Sequence, residues 1–164
     1  MWALAAASSA HLQHMRVSLY TRARSKLEAL DNDIESTSAA SLQAAQAWLL
    51  ITHYELRYIG YRRAWLTAGR AFRIIQLAKL HEIDRLNEIG VNITLPEVWA
   101  EAEEKRRTYW LAYCLDRFLN ISDEWPLSLQ EEAVSGPASL DKQALLTCIL
   151  ALHIPPCLRV RLSA

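Results

Sequence analysis

The chain has 164 residues, of which 52% are hydrophobic and 22% are charged. A chain of this length is long enough to bury a hydrophobic core, and its composition is typical of a globular protein rather than of a disordered segment. Its 18 basic and 18 acidic side chains cancel, which argues against a free-standing nucleic-acid binder or a protein drawn to anionic membranes by its charge.

The cysteines and the apolar runs bear on the compartment. The three cysteines, Cys114, Cys148 and Cys157, are far apart and form no C-x-x-C pair, so we expect reduced thiols in the cytosol or nucleus and no zinc site. Residues 1–10 are small and apolar but follow no basic residue, which argues against a signal peptide. The apolar run at 144–152 is shorter than the roughly 20 residues that cross a bilayer, so no membrane segment is predicted.

The first part of the chain predicts two helical regions joined by a polar connector. Helical periodicity recurs throughout, and the scarcity of glycine and proline favours helices. The first region covers about 2–30, with a break or bend near His14, and the connector is residues 31–38. The second region covers 42–59 and is apolar on nearly every side, which is typical of the buried central helix of an all-α domain.

A third helix is predicted after Gly60, which interrupts the periodicity. One face is predicted to be buried and carries, at helical spacing, Trp65, Ala68, Phe72 and Ile75. Another face carries Arg63, Arg70 and Arg73. We interpret the arginine face as a surface rather than as a DNA-recognition helix, because the same helix is needed for the core. The acidic start of the next long helix is expected to neutralise these arginines.

The longest predicted helix covers about 96–120. Thr94 is placed to cap it, with Glu97 three residues later in the arrangement of a capping box and a proline in the first turn. A polar stretch that contains Pro126 follows the helix. Beyond residue 134 the character of the chain changes, and the segment 135–164 is predicted to hold one short apolar helix and a basic tail.

The charged residues of this long helix fall into two groups. The acid-first pairs four residues apart are Glu101–Lys105 and Glu103–Arg107. Each pair is worth roughly 0.2–0.5 kcal/mol, and we interpret them as a solvated face. Asp116 and Arg117 instead lie among aromatic and aliphatic neighbours. Because an unpaired buried charge costs several kcal/mol, we predict that both are structural and are paired with groups on other helices.

Catalytic motifs do not appear in this sequence: it contains no nucleophile elbow, no Gly-rich phosphate loop and no H-E-x-x-H. His53, His81 and His153 are isolated from one another, and clustered cysteine or histidine ligands are missing. We therefore predict a non-enzymatic protein with no catalytic residue, no cofactor and no bound metal.

Two runs, residues 47–84 and 103–134, resemble in their order the fungal-specific transcription factor domain, the middle homology region of fungal zinc binuclear cluster regulators. The first run matches the R-x-A-W-x-x-x-G-x-A-x-R-x-A-Q motif and its L-G-L-H continuation through Arg63, Ala64, Trp65, Gly69, Ala71, Arg73, Gln76, Leu80 and His81. The second matches the E-x-R-R-R-x-x-W…D-R motif through Glu104, Arg106, Arg107, Trp110, Asp116 and Arg117. The resemblance implies that these are structural signature residues of a scaffold.

The sequence departs from this family at three places. The family's G-R-P turn reads Glu124-Trp125-Pro126, the six-cysteine zinc cluster that reads DNA in these regulators is missing, and the chain diverges after about residue 134. The resemblance implies a helical regulatory domain at 1–134, clearest at 42–134, followed by a divergent tail at 135–164. It also implies a nuclear transcription regulator, controlling a biosynthetic or metabolic gene set.

The sequence thus predicts an all-α fold: a single multi-helix domain of packed, mostly antiparallel helices. The expected partners are other transcription regulators or a second copy of the chain, with no membrane and no direct sequence-specific DNA binding by this chain alone. Two other interpretations stay open. The first is a helical-repeat interaction module, since 61–71 is similar to a tetratricopeptide helix, although no second copy follows at about 34 residues. The second is a small helical enzyme.

Overall fold

The computed structural model describes residues 1–31, 38–83, 96–120 and 126–129 of the chain. The regular elements within these ranges are helices. In chain order they are α1 (Trp2–Ser8), α2 (Arg16–Asp31), α3 (Ser38–Tyr58), α4 (Tyr61–Leu77) and α5 (Pro96–Asn120), with short 3₁₀ turns at Gln13–Met15 and Leu80–Glu82. The predicted all-α, multi-helix fold is therefore confirmed for this part of the chain.

Two interruptions between the helices follow from the sequence. The predicted break near His14 is confirmed, because a 3₁₀ turn separates α1 from α2. At Gly60 the backbone has a φ of +150°, a conformation that residues with a side chain rarely adopt. The Gly60 N–H donates to the carbonyl of Glu55 at 2.8 Å, and its own carbonyl accepts from the N–H of Ala64 at 3.2 Å. One glycine therefore ends α3 and begins α4.

The chain forms two compact units, Met1–Ala71 and a second that begins at Phe72, with the boundary inside α4. In the first unit, α1 and α3 both contact α2. The buried apolar side chains of α3 are Leu42, Ala45, Trp48, Leu49, Ile51, Tyr54 and Leu56. Burial of this helix confirms the interpretation of its apolar sequence, and it also carries two polar groups, Thr52 and Glu55, into the interior.

In the second unit, the 3₁₀ turn Leu80–Glu82 contacts α5. The buried apolar side chains of α5 are Tyr109, Trp110, Ala112, Cys114, Leu115 and Leu119. The Trp110 ring meets those of Tyr109 and Tyr113 edge to face, with centroid distances of 6.0 and 5.3 Å. Burial raises the pKa of Tyr109 to about 12, so this phenol stays protonated at neutral pH. The aromatic part of the second signature run is thus core.

One member of the predicted buried face of α4 is misplaced. Trp65 keeps 36% of its surface exposed, whereas Ala64, the residue before it, is fully buried. Successive residues of an α-helix are about 100° apart, so a buried face that includes Ala64 leaves Trp65 at its edge. The prediction that Trp65 lies in the core is wrong, while the other three residues of that face are buried as predicted.

Several predictions concern residues outside the described ranges. They are the capping role of Thr94, the turn at Glu124–Trp125, Cys148, Cys157 and the segment 135–164. The domain boundary at residue 134 therefore remains a prediction, as does the mostly antiparallel arrangement of the helices. Within the described ranges, no helix is both long enough and apolar enough to cross a membrane.

Candidate functional site

Among the residues that the structure describes, each unit contains one fully buried carboxylate, and each carboxylate is the centre of a cluster. The Glu55 cluster, in the first unit, is Tyr20, Arg24, Glu55, Arg63 and Thr67. The Asp116 cluster, in the second unit, is Gln76, Asp116, Arg117, Asn120, Ser128 and Leu129. Signature residues from both runs of the sequence take part, so these clusters are the candidate site.

The Glu55 cluster joins α2, α3 and α4. The Tyr20 hydroxyl donates to Glu55 Oε1 at 2.5 Å, and the Arg24 guanidinium donates to the same oxygen. Arg24 also donates to the Thr67 hydroxyl at 3.2 Å, and Arg63 Nε lies 3.5 Å from Glu55 Oε1. The second oxygen, Oε2, has no hydrogen-bond partner among the described residues. One hydroxyl and two guanidinium groups therefore all contact the same oxygen of the buried carboxylate.

Aromatic rings enclose this cluster. The Tyr20 ring stacks on Tyr54 with centroids 4.8 Å apart, and the Arg63 guanidinium lies 5.9 Å from the Tyr20 ring centroid. The Trp48 ring has the Arg24 guanidinium 5.9 Å from its centroid. These contacts are within the range of cation–π attraction. The arginines are therefore held by ring faces as well as by the carboxylate.

The environment fixes the protonation of two members of the cluster. Burial, together with the hydrogen bond to Glu55, raises the pKa of Tyr20, so Tyr20 is a neutral donor at neutral pH. Burial works against the charge of Arg24, but its hydrogen bond to Tyr20 and the Glu55 charge raise the pKa of Arg24 above its ordinary value. Arg24 is thus a fixed cation that compensates the buried acid.

The sequence reasoning missed this cluster. Tyr20, Arg24 and Glu55 are not among the residues that the sequence analysis singles out. A usable signal was present, because Glu55 is the sole acidic residue in α3, a helix that is otherwise apolar on nearly every side. A buried carboxylate needs cationic or hydrogen-bonding partners, so its position alone demanded some.

Two arginines of α4, Arg63 and Arg70, have acidic partners within the first unit. Arg70 lies 3.9 Å from Glu28 and 3.7 Å from Asp31, both on α2, and Arg63 is paired with Glu55. The expectation that the acidic start of α5 neutralises these arginines is therefore wrong for Arg63 and Arg70. The side chains of Arg63 and Arg70 are each about half exposed.

The Asp116 cluster holds the backbone of the segment 126–129, which follows the predicted turn. Asp116 Oδ2 accepts the N–H groups of Ser128 and Leu129 at 2.8 and 2.9 Å, and its Oδ1 accepts from the Asn120 amide at 2.8 Å. The carboxylate is fully buried. Backbone N–H donors satisfy it in the way that they satisfy a capping side chain.

Arg117 and Gln76 complete this hold. Arg117 Nη1 donates to the carbonyl of Leu129 at 3.0 Å and its guanidinium lies 4.1 Å from the Tyr113 ring centroid. Gln76, from the first signature run, donates to the carbonyl of Ser128 at 2.8 Å. Ser128 and Leu129 therefore each have both the backbone N–H and the carbonyl hydrogen-bonded, and side chains of the two signature runs meet there.

The predicted pairing of Asp116 and Arg117 needs a correction. Their partners are Asn120 on the same helix and the backbone of Ser128 and Leu129, rather than groups on other helices. Direct contact between the two charges is long, at 3.5 Å. The physical reason is that two backbone N–H groups satisfy a carboxylate as well as a cation does, and they lie closer along the chain.

The other signature residues of the second run lie on α5, among further charged side chains. Glu103 pairs with Arg106 at 2.5 Å and with Arg107 at 2.8 Å, and the hydrogen bond from Arg107 is the main cause that lowers the pKa of Glu103. Glu101 pairs with Lys105 at 2.5 Å, as predicted. The carbonyl of Glu104 accepts from the Thr108 hydroxyl.

His81 and Arg73 are the outer members of the first run. His81 Nε2 lies 3.6 Å from Glu82 Oε1, and the Arg73 side chain is exposed. Neither residue is a member of the Glu55 cluster or of the Asp116 cluster. Within the described part of the chain, no group of three histidine, cysteine or acidic side chains is arranged to hold a metal ion.

Comparison with known proteins gives a family match. The family model described as "Fungal specific transcription factor domain" matches residues 1–132. A pigment biosynthesis transcriptional activator, pigB of Monascus ruber, is 44% identical over 137 residues, covering 82% of this chain and 25% of the relative. The tropolone cluster transcription factor tropK of Talaromyces stipitatus is 44% identical over 142 residues, covering 87% of this chain and 25% of the relative.

A third relative is the azaphilone cluster-specific transcription factor azaR of Aspergillus niger, which is 41% identical over 134 residues, 80% of this chain and 29% of the relative. The chain therefore spans about a quarter of the length of these relatives. No solved structure matches it significantly.

Proposed function

Because the chain belongs to the family of the fungal specific transcription factor domain, we propose that it acts in the nucleus as the regulatory segment of a transcription regulator that controls a secondary-metabolite gene cluster. One observation carries the proposal: relatives named for such regulation are 41–44% identical over about four fifths of this chain. The family is one of transcription factors, which favours this function over the helical-repeat and enzyme interpretations.

The proposed mode of action is contact with other proteins. The formal net charge is zero, and the sequence holds three cysteines, fewer than a six-cysteine zinc cluster needs. Two of the three arginines of the arginine face, Arg63 and Arg70, are engaged by acidic side chains of their own unit. These features support a segment that does not bind DNA sequence-specifically by itself and instead contacts a transcription regulator or a second copy of the chain.

The signature residues are proposed to be structural, and the Asp116 cluster supports that role. The side chains of Asp116 and Arg117 form hydrogen bonds with the backbone of the segment 126–129. If this segment forms part of a regulatory surface, Asp116 supports that surface by holding its backbone and takes part in no reaction. Substituting Asp116 is therefore expected to change transcription by altering the shape of the segment.

A chimera tests the proposal. Residues 1–132 of this chain replace the matched segment of the Monascus ruber pigment activator in a strain that lacks its own copy, and transcripts of the pigment genes are measured. We expect activation well above that of an activator with the segment deleted. In the same chimera, Asp116→Ala should lower activation, whereas Glu101→Gln, a change at an exposed acid of α5, should not.

Protein abundance is measured by immunoblot in each strain. A chimera that accumulates normally and is as inactive as the deletion contradicts the proposal. Mobility-shift assays with the purified chain and cluster promoter fragments test the other half. Tight, sequence-selective binding to DNA by the chain alone would overturn the expectation that it acts through proteins.

A further inference from the structure

A cleft of about 590 Å³ lies in the first unit, between α1, α2 and α3, and no member of either cluster lines it. Its volume is within the range of roughly 300–1,000 Å³ that small-molecule sites occupy. Its apolar wall includes Trp2, Leu4, Leu19, Leu27, Leu50 and Ile51. Such a wall favours a ligand with an apolar body.

The charges of the cleft have a single sign. Arg22 and Lys26 line it from α2, where their spacing of four residues brings them side by side. Neither forms an ion pair with any described residue, and no acidic side chain lines the cleft. Arg24, between them in sequence, is by contrast committed to Glu28 and Glu55.

Two glutamines, Gln43 and Gln46, line the cleft from α3. Amide groups that can both donate and accept, in a cleft whose charged side chains are two cations, suit a carboxylate better than a cation or a fully apolar molecule. We propose that this cleft binds an amphipathic organic anion, a small molecule with an apolar body and one carboxylate. The carboxylate lies at Arg22 and Lys26, and the apolar body packs along the wall. This inference stands apart from the proposed function.

Isothermal titration calorimetry with decanoate, and with 1-decanol as the neutral match, tests the site. We expect saturable binding of one decanoate per chain, and weaker binding of 1-decanol. Replacing both cations, Arg22→Gln with Lys26→Gln, should weaken decanoate binding about tenfold, or about 1.4 kcal/mol, and leave 1-decanol binding within about twofold. The matched control removes two exposed cations outside the cleft, Arg57→Gln with Arg62→Gln, and should leave both affinities unchanged.

A second variant tests the wall. Ala47→Phe fills the cleft from α3 and should abolish binding of both probes, while circular dichroism confirms that each variant keeps its helices. The proposal is overturned if decanoate shows no saturable binding, or if the cleft and control variants weaken it equally. It is also overturned if an acidic amphipathic peptide binds the cleft and decanoate does not.

Discussion

The Glu55 cluster and the Asp116 cluster each bury a carboxylate completely, yet they satisfy it with different groups. Glu55 receives side chains that are 31 and 35 residues away, Arg24 and Tyr20. Asp116 receives backbone N–H groups that are 12 and 13 residues away. The first arrangement fixes how helices pack, and the second fixes the path of the chain after a helix.

The difference has an energetic consequence. Removing the cation beside Glu55 leaves a buried charge, which is among the most costly single changes in a protein. Removing Asp116 leaves two neutral N–H groups, each of which loses a partner at a cost of about 1–3 kcal/mol unless water replaces it. Three residues of the segment 126–129 are exposed, Pro126, Leu127 and Ser128, whereas Leu129 is buried. Water can therefore replace Asp116 as the acceptor for the N–H of Ser128, which lowers the cost of removing Asp116.

The largest loss of stability is expected from removing a buried tryptophan. Trp110 in the second unit is compared with Trp65 in the first. Trp110→Ala should lower the free energy of unfolding by about 3–5 kcal/mol, because Trp110 is 2% exposed. Trp65→Ala should cost about 1 kcal/mol, because Trp65 is 36% exposed. Urea denaturation measures both. Equal losses would mean that the burial difference between the two rings is wrong.

The next effect concerns the charge beside Glu55. Arg24→Met should lower the free energy of unfolding by about 3 kcal/mol, because Glu55 then loses its closest cation within the core. Adding Glu55→Gln to that variant should recover part of the loss, since the orphaned charge is removed. Arg62→Met, at an exposed arginine of α4, should change stability by less than about 0.5 kcal/mol. A double variant no more stable than Arg24→Met argues against the ion pair.

A smaller and more local effect is expected at Asp116. Asp116→Ala should cost about 2 kcal/mol, because the N–H groups of Ser128 and Leu129 lose their acceptor. Amide hydrogen exchange should accelerate at those two residues more than along the middle of α5. Asp116→Asn keeps one acceptor oxygen, so its stability should lie between that of the unchanged chain and that of Asp116→Ala. Uniform acceleration over α5 would show that Asp116 stabilises the helix rather than the segment.

The smallest effect is a pH dependence at Glu103. Hydrogen bonds from Arg107 and then Arg106 hold the pKa of Glu103 below its ordinary value of 4.5, against the opposing effect of burial. A depressed pKa in the folded state gives stability that is present above the unfolded value and is lost as the pH falls through the folded value. Glu103→Gln should therefore cost about 0.5 kcal/mol at neutral pH and nothing in strong acid. A cost that persists in acid would exclude the ion pairs as its source.

The clusters show which parts of the structure were predictable. That Asp116 and Arg117 need partners followed from charges among apolar neighbours on a helix. That the partners are the backbone of Ser128 and Leu129 did not follow, because a hydrogen-bonding requirement does not specify which donor meets it. Glu55, the sole acidic residue of the largely apolar α3, carries the same signal that partners are needed, but not that they come from α2 and α4.

The sequence by itself determined the helices, the break near His14, the turn at Gly60 and the burial of α3, because periodicity and backbone freedom are properties of neighbouring residues. Tertiary structure decided what lies against each helix. It left Trp65 at the edge of a buried face, and it brought Arg24 to Glu55 from 31 residues away. Packing geometry makes these choices, because several side chains of suitable chemistry compete for each position and only the assembled helices select one.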